Sequence, residues 1–213
     1  MLAALVLSAV LAPAPVQVVA PDLPAVTWQD LCDRPSRWLG KSVRLRIQFQ
    51  APVERWNPYL TRFGTQRFAA VQAWADEQLP WIRAEYEAPL VRLFAARGES
   101  CAWAFETARA GDRFEVTVVV RQVFLALPWA EVLEVLPLPE RIGEGTVIHA
   151  GKAQELMNRG AWKLAELEID QAVTEALPPH ARAELERMRA ECRDALAREK
   201  RPRRSSVGVS TTG

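Results

Sequence analysis

Along the chain the spacing of apolar residues changes character twice. From Ser42 the residues alternate: Val43, Leu45, Ile47 and Phe49 are apolar, and Ser42, Arg44, Arg46, Gln48 and Gln50 are polar. That period of two predicts a strand with one buried and one wet face. Before it, Val26 to Cys32 predicts a short helical turn with Thr27 as N-cap, and Pro35, Gly40 and Lys41 punctuate a turn. Further short strands are expected at Phe68 to Trp74, Pro89 to Ala95 and Cys101 to Phe105, then along the β-branched run Phe114 to Leu127, with Val132 to Leu136 closing the set after Pro128. Between them, residues 51 to 67 show neither period and contain two prolines and a glycine, which predicts a long loop. Residues 75 to 88 are expected to be a helix or insertion interrupting the strands, and Gly111-Asp112 a turn.

From Thr146 the period becomes helical. Ala153, Leu156 and Met157 share a face, Gly160 ends the helix, and Leu164, Ala165, Ile169, Ala172, Val173 and Ala176 form the stripe of a second helix stopped by Leu177-Pro178-Pro179. A third helix, Ala181 to Arg198, repeats the stripe with Leu185, Met188, Cys192, Ala195 and Leu196. The fold class expected is therefore α+β, a small β-barrel or sandwich followed by helices, with four regions. Residues 1–25 form a leader and Pro-rich linker, 26–140 a β domain, 146–198 a helical segment and 199–213 a basic tail expected to be disordered.

Two resemblances sharpen this. The pattern Pro35-x-x-Trp38-x-Gly40-Lys41-x-Val43-x-Leu45, with Gly111-Asp112-Arg113-Phe114-Glu115-Val116 later, resembles the strand entries of bacterial OB-fold domains. The set Ala153, Leu156, Gly160, Ala165, Ile169 and Ala172 resembles a single tetratricopeptide repeat, in which small residues let two helices approach and large ones fill the flanks. His149 and Lys152 depart from that family's aromatic and leucine. The first resemblance implies a small OB-like barrel, the second a protein-binding hairpin. One repeat cannot bury its own apolar face. The stripe of Ala153, Leu156, Leu164, Ile169 and Leu185 must therefore be covered by the barrel, by a protein partner or by a second copy in a homodimer.

Charge and special residues then narrow the function. The formal net charge of +1 gives no general attraction for phosphates, which argues against a surface built mainly for nucleic acid. Eight tryptophans are expected mostly in the cores. The apolar Met1 to Ala20 has the length of a secretory signal and is too short to span a membrane, although no Lys or Arg follows Met1; export, periplasmic or extracellular, is the expectation, and cytoplasmic residence the alternative. Cys32, Cys101 and Cys192 are too few for a disulfide scaffold and are read as small hydrophobes, with a Cys32–Cys101 pair left open.

No nucleophile elbow, phosphate-binding loop or metal-ligand spacing is present, and the two histidines, His149 and His180, sit at helix starts. No catalytic residue, metal or cofactor is expected, and the chain is read as non-enzymatic. The acidic group Asp76, Glu77, Glu85 and Glu87 reads as a solvated face rather than a hydrolytic pair. The stretch richest in binding chemistry is the 51–67 loop, with Arg55, Trp56, Tyr59, Arg62, Phe63 and Arg67. Its aromatics either stack on bases or sugars while the cations meet phosphates, or fold the loop back onto the barrel. The functional expectation is a binding or scaffold protein with a protein partner. Single-stranded nucleic-acid or oligosaccharide binding through the barrel is the alternative, and an enzyme of unrecognised type a further one.

Overall fold

The computed structural model describes residues 23–56 and 62–199. The leader up to Asp22, Tyr59 and the basic tail from Lys200 lie outside the described residues. A capping box opens the first helix, α1 (Trp28–Asp33): the Thr27 hydroxyl accepts from the Asp30 N–H at 3.1 Å, and the Asp30 carboxylate accepts from the Thr27 N–H at 2.8 Å. A single turn, α2 (Pro35–Trp38), leads through Gly40, at φ +75°, into β1 (Ser42–Val53).

Five strands close into a barrel: β1, β2 (Phe68–Ala75), β3 (Leu90–Ala96), β4 (Arg113–Phe124) and β5 (Leu127–Pro137), in the order β1-β2-β3-β5-β4. All neighbours are antiparallel except β3 and β5, which pair in parallel over Leu93 to Ala95. This is an OB-like barrel. Its interior is the alternate set that the period of two predicts, Val43, Leu45, Ile47 and Phe49 from β1 meeting Val71, Ala73, Leu93, Val116, Val118 and Val132.

Three sequence expectations are corrected. Residues 101–105 are not a strand; they lie in α4 (Ser100–Thr107), which follows the short α3 (Arg83–Tyr86) and β3 in the chain. Cys101, Ala102 and Phe105 fall at i, i+1 and i+4 and plug the barrel, with Phe105 stacked on Phe49 at 6.0 Å and edge-on to Phe114 at 5.7 Å. The run 114–127 is not one strand but a hairpin, turned at Leu125 and Ala126 with φ of 49° and 59°, and β5 begins before Pro128. The tryptophans edge the cores rather than fill them: only Trp74 and Trp81 are buried, Trp28, Trp38, Trp56, Trp129 and Trp162 pack half-buried against the core clusters, and Trp103 is 67% exposed.

Gln48, on the expected wet face of β1, is also fully buried. Its amide nitrogen donates to the carbonyls of Ala75, Asp76 and Gln78 at 3.3, 3.0 and 2.8 Å, clamping the β2–β3 connection onto the barrel wall. That connection links the two parts of the molecule. Trp81 is buried, with Leu79 and Ile82 beside it, in the core of the helical segment: α5 (Glu144–Asn158), α6 (Trp162–Ala172) and α7 (Pro179–Glu199).

The hairpin α5–α6 turns at Gly160 with φ +74°. Ala153, Ala165, Ile169 and Ala172 are fully buried and Leu156 half-buried, covered by Leu185, Met188 and Cys192 of α7 and by Trp81. The stripe is thus covered by the chain itself. Leu164 is the exception: it is exposed, because α6 turns residues 165, 169 and 172 inward and 164 and 167 outward. α6 also stops at Ala172, four residues before the expected Ala176. The Thr146 hydroxyl, buried, donates to the Ala172 carbonyl at 2.9 Å and ties that end to the start of α5.

Candidate functional site

On β2 and β3 the inward residues are Val71, Ala73, Leu93 and Ala95, so Phe68, Ala70 and Phe94 project from the outer face of the barrel. Phe68 pairs across the strands with Ala96, and Ala70 with Phe94. In OB folds this face and the loops beside it form the ligand platform. Here the β1–β2 loop lies across it. Phe63 is 1% exposed, stacked on Phe94 at 4.1 Å and edge-on to Phe68 at 5.0 Å. Trp56 meets Phe94 edge-on at 5.8 Å, and its indole N–H donates to the Phe63 carbonyl at 2.8 Å. Trp129 of β5 stacks on Phe94 at 5.4 Å.

The loop aromatics therefore close a small satellite core, and their ring faces are spent on protein. Of the two sequence readings for Trp56 and Phe63, the structure places them folded back on the barrel. Burying three phenyl rings and two half-buried indoles stabilises the loop by several kcal/mol at the usual ~25 cal/mol per Å².

The arginines behave differently. Arg55, Arg62 and Arg67 are exposed, and Arg97, at the end of β3, joins them. Arg62 donates from Nη1 to the Arg121 carbonyl at 3.2 Å, and its backbone N–H donates to the Gln122 side chain at 3.2 Å. Arg97 donates from Nε to the Thr65 carbonyl at 3.0 Å and from its backbone to the Arg67 carbonyl at 2.8 Å. The Arg67 guanidinium lies over the Phe68 ring at 5.6 Å. These contacts fix Arg62, Arg67 and Arg97 by carbonyls and a ring, leaving their charges uncompensated. Among the described residues no carboxylate lies within ion-pair distance of Arg55, Arg62, Arg67 or Arg97. Arg121 alone is neutralised, by Glu131 at 2.6 Å. A cleft of about 210 Å³ runs between Arg62, Phe63, Arg67, Phe68, Arg121 and Glu131.

Arg97 has no signal in the sequence. It enters the group because β2 pairs with β3, which brings residue 97 beside residues 65 and 67.

The acidic group separates into structural roles. Asp76 holds Arg113 through two bonds, 2.7 Å to Nε and 2.9 Å to Nη2, and Glu140 takes Nη1 at 3.1 Å. Glu85 accepts from the Leu79 N–H at 2.6 Å, and Glu87 pairs with Arg83 at 2.8 Å. His149 meets Glu168 at 2.6 Å between α5 and α6. His180 is half-buried, and burial pushes its pKa below the usual value, with Arg113 pushing the same way against Asp76 and Glu77. Cys101 and Cys192 are free thiols, and burial raises the pKa of both. Among the described residues no three His, Cys, Asp or Glu side chains group as a metal site, and no helix is long and apolar enough to cross a membrane.

No protein-family profile matches the chain, and no curated protein matches it. Among solved structures, a Leishmania major Friedlin protein described as an aspartyl-tRNA synthetase is similar at 11% identity and a TM-score of 0.39. The similarity covers 75% of this chain, which spans 34% of that protein's length. A likeness at that level carries no functional argument.

Proposed function

We propose that this is a non-enzymatic binding protein whose barrel holds an extended anionic chain along the rim of its β2–β3 face. The observation that carries the reading is the grouping of Arg62, Arg67 and Arg97, with exposed Arg55 on the same loop, and with no carboxylate in ion-pair reach among the described residues. Three uncompensated guanidiniums along one edge, with a fourth on the same loop, make a local basic strip even though the chain as a whole is nearly neutral. Arginine suits phosphate and sulfate oxygens because its planar fork donates in pairs. The buried ring faces leave no platform for base stacking at Phe63 or Phe94, so recognition is by backbone charge and insensitive to base identity.

The test is fluorescence anisotropy with a labelled single-stranded oligothymidylate across a salt series. Four phosphate contacts on a single strand predict a log–log salt slope of about −3. Arg62→Ala with Arg67→Ala is expected to cut that slope by roughly half. Binding only to a sulfated oligosaccharide would assign the strip to sugars, and an absence of binding to either at low salt would end the reading.

A second reading rests on a separate surface. Ile148, Leu164 and Leu167 are about half exposed on α5 and α6, flanking the His149–Glu168 pair in sequence. Large apolar groups left outward on a repeat-like hairpin fit a protein partner, or a second copy of the chain. Export of the protein is part of the proposal and is checked by cell fractionation with N-terminal sequencing of the mature chain.

A further inference from the structure

A separate cleft opens where α5, α6 and α7 meet the β2–β3 connection. It holds about 200 Å³ and is lined by Trp81, Trp162, Met188, Glu184, Arg187 and Glu191 among others. That volume falls below the range of small-molecule sites and suits one side chain. Its apolar part comes from two tryptophans and two methionines, Met157 and Met188, whose periodic spacing in the sequence points to packing alone.

Its polar part is an ion triad with unequal charge, beside the side chains of Gln154 and Asn158. Arg187 donates from Nη2 and Nε to the two oxygens of Glu184 at 2.6 and 2.8 Å, and from Nη1 to Glu191 Oε2 at 3.3 Å. One guanidinium thus faces two carboxylates, so the rim keeps a net single negative charge. Glu191 engages Arg187 through one oxygen only, and its Oε1 makes no hydrogen bond among the described residues. An anion would be repelled here. A purely apolar group would desolvate the spare carboxylate without replacing its water. A cation on an alkyl stem satisfies each part: the head meets the carboxylate rim, and the stem and charge lie against the indoles and Met188.

We propose that this cleft receives a lysine-type cationic side chain from a protein partner. The site is independent of the barrel rim, which has the opposite charge and would attract the opposite ligand.

The experiment uses the full chain, ¹⁵N-labelled, with the Trp81 and Trp162 indole resonances assigned from Trp81→Phe and Trp162→Phe. Acetyl-Gly-Lys-Gly-amide is titrated in, with acetyl-Gly-norleucine-Gly-amide as the uncharged isostere. The expected result is a saturable shift of these indoles by the lysine peptide, with Kd on the order of 1 mM, and none by the norleucine peptide. Glu191→Gln, at a half-exposed position that leaves the helices intact, is expected to weaken binding about fivefold. Equal shifts from both peptides, no saturable shift from the lysine peptide, or undiminished binding by the folded Glu191→Gln variant would each overturn the proposal.

Discussion

Replacing Asp76 by alanine removes two of the three hydrogen bonds that Arg113 makes. Arg113 is 4% exposed, and its remaining partner, Glu140, is 41% exposed and partly screened by water. A guanidinium cannot give up its proton at any ordinary pH, so the charge stays buried with four of its five donors unpaired. Breaking one side of a buried pair costs about 3–5 kcal/mol, far above a surface ion pair at about 0–1 kcal/mol. Because stability of a domain this size is on the order of 5–15 kcal/mol, such a loss is large but survivable. Urea unfolding followed by far-ultraviolet circular dichroism measures it as a lower midpoint at unchanged slope. The companion variant Arg113→Met, alone and with Asp76→Ala, completes the cycle. Removing both charges should restore most of the loss, since a methionine fills the site without a charge to desolvate. A cost below about 1 kcal/mol for Asp76→Ala, or no recovery in the double variant, would refute the reasoning.

Gly111 and His180 supply two further predictions. Gly111 sits at φ +87°, and a Cβ there would come to 2.2 Å from the Ile142 carbonyl, where the β4 entry touches the chain leading into α5. Gly111→Ala therefore adds a backbone clash to a left-handed penalty of about 1–2 kcal/mol, and a thermal melt should show a loss well beyond that figure, whereas a drop within it would mean the two segments separate freely. His180 has a depressed pKa in the fold, so its neutral form is favoured there; its contribution is complete above the unfolded value of 6.5 and is lost as pH falls through the folded value. Compared with the parent, His180→Leu should lose less stability between about pH 7 and pH 5 in parallel urea series, and identical profiles would count against it.

Much of the architecture is legible in the sequence because it rests on periodicity. Alternation from Val43 to Phe49 can satisfy only a half-buried strand, and the spacing of Ala153, Ala165, Ile169, Ala172 and Leu185 only helices packed on one side. The Thr27 cap and the Gly160 turn are local events, set by residues within a few positions of each other. Short apolar runs are a different case. Cys101 to Phe105 fits either period, and it becomes helical because the barrel end needs Phe105 against Phe49, a contact 56 residues apart in the chain. The turn at Leu125 and Ala126 carries no glycine or asparagine to announce it; the pairing of β4 with β5 imposes its left-handed backbone.

The same division runs through the candidate sites. The sequence by itself marks the 51–67 loop as rich in arginine and aromatics. It does not separate the rings, which the barrel face buries, from the guanidiniums, which stay in water because their charge is costly to desolvate. Arg97 joins that strip, and Trp81 joins Glu184 and Glu191, only through strand pairing and helix docking across long separations. Local pattern determines the elements. Which side chains become neighbours, and so which charges go unanswered, is decided by closure of the barrel and by the seating of the β2–β3 connection between the helices.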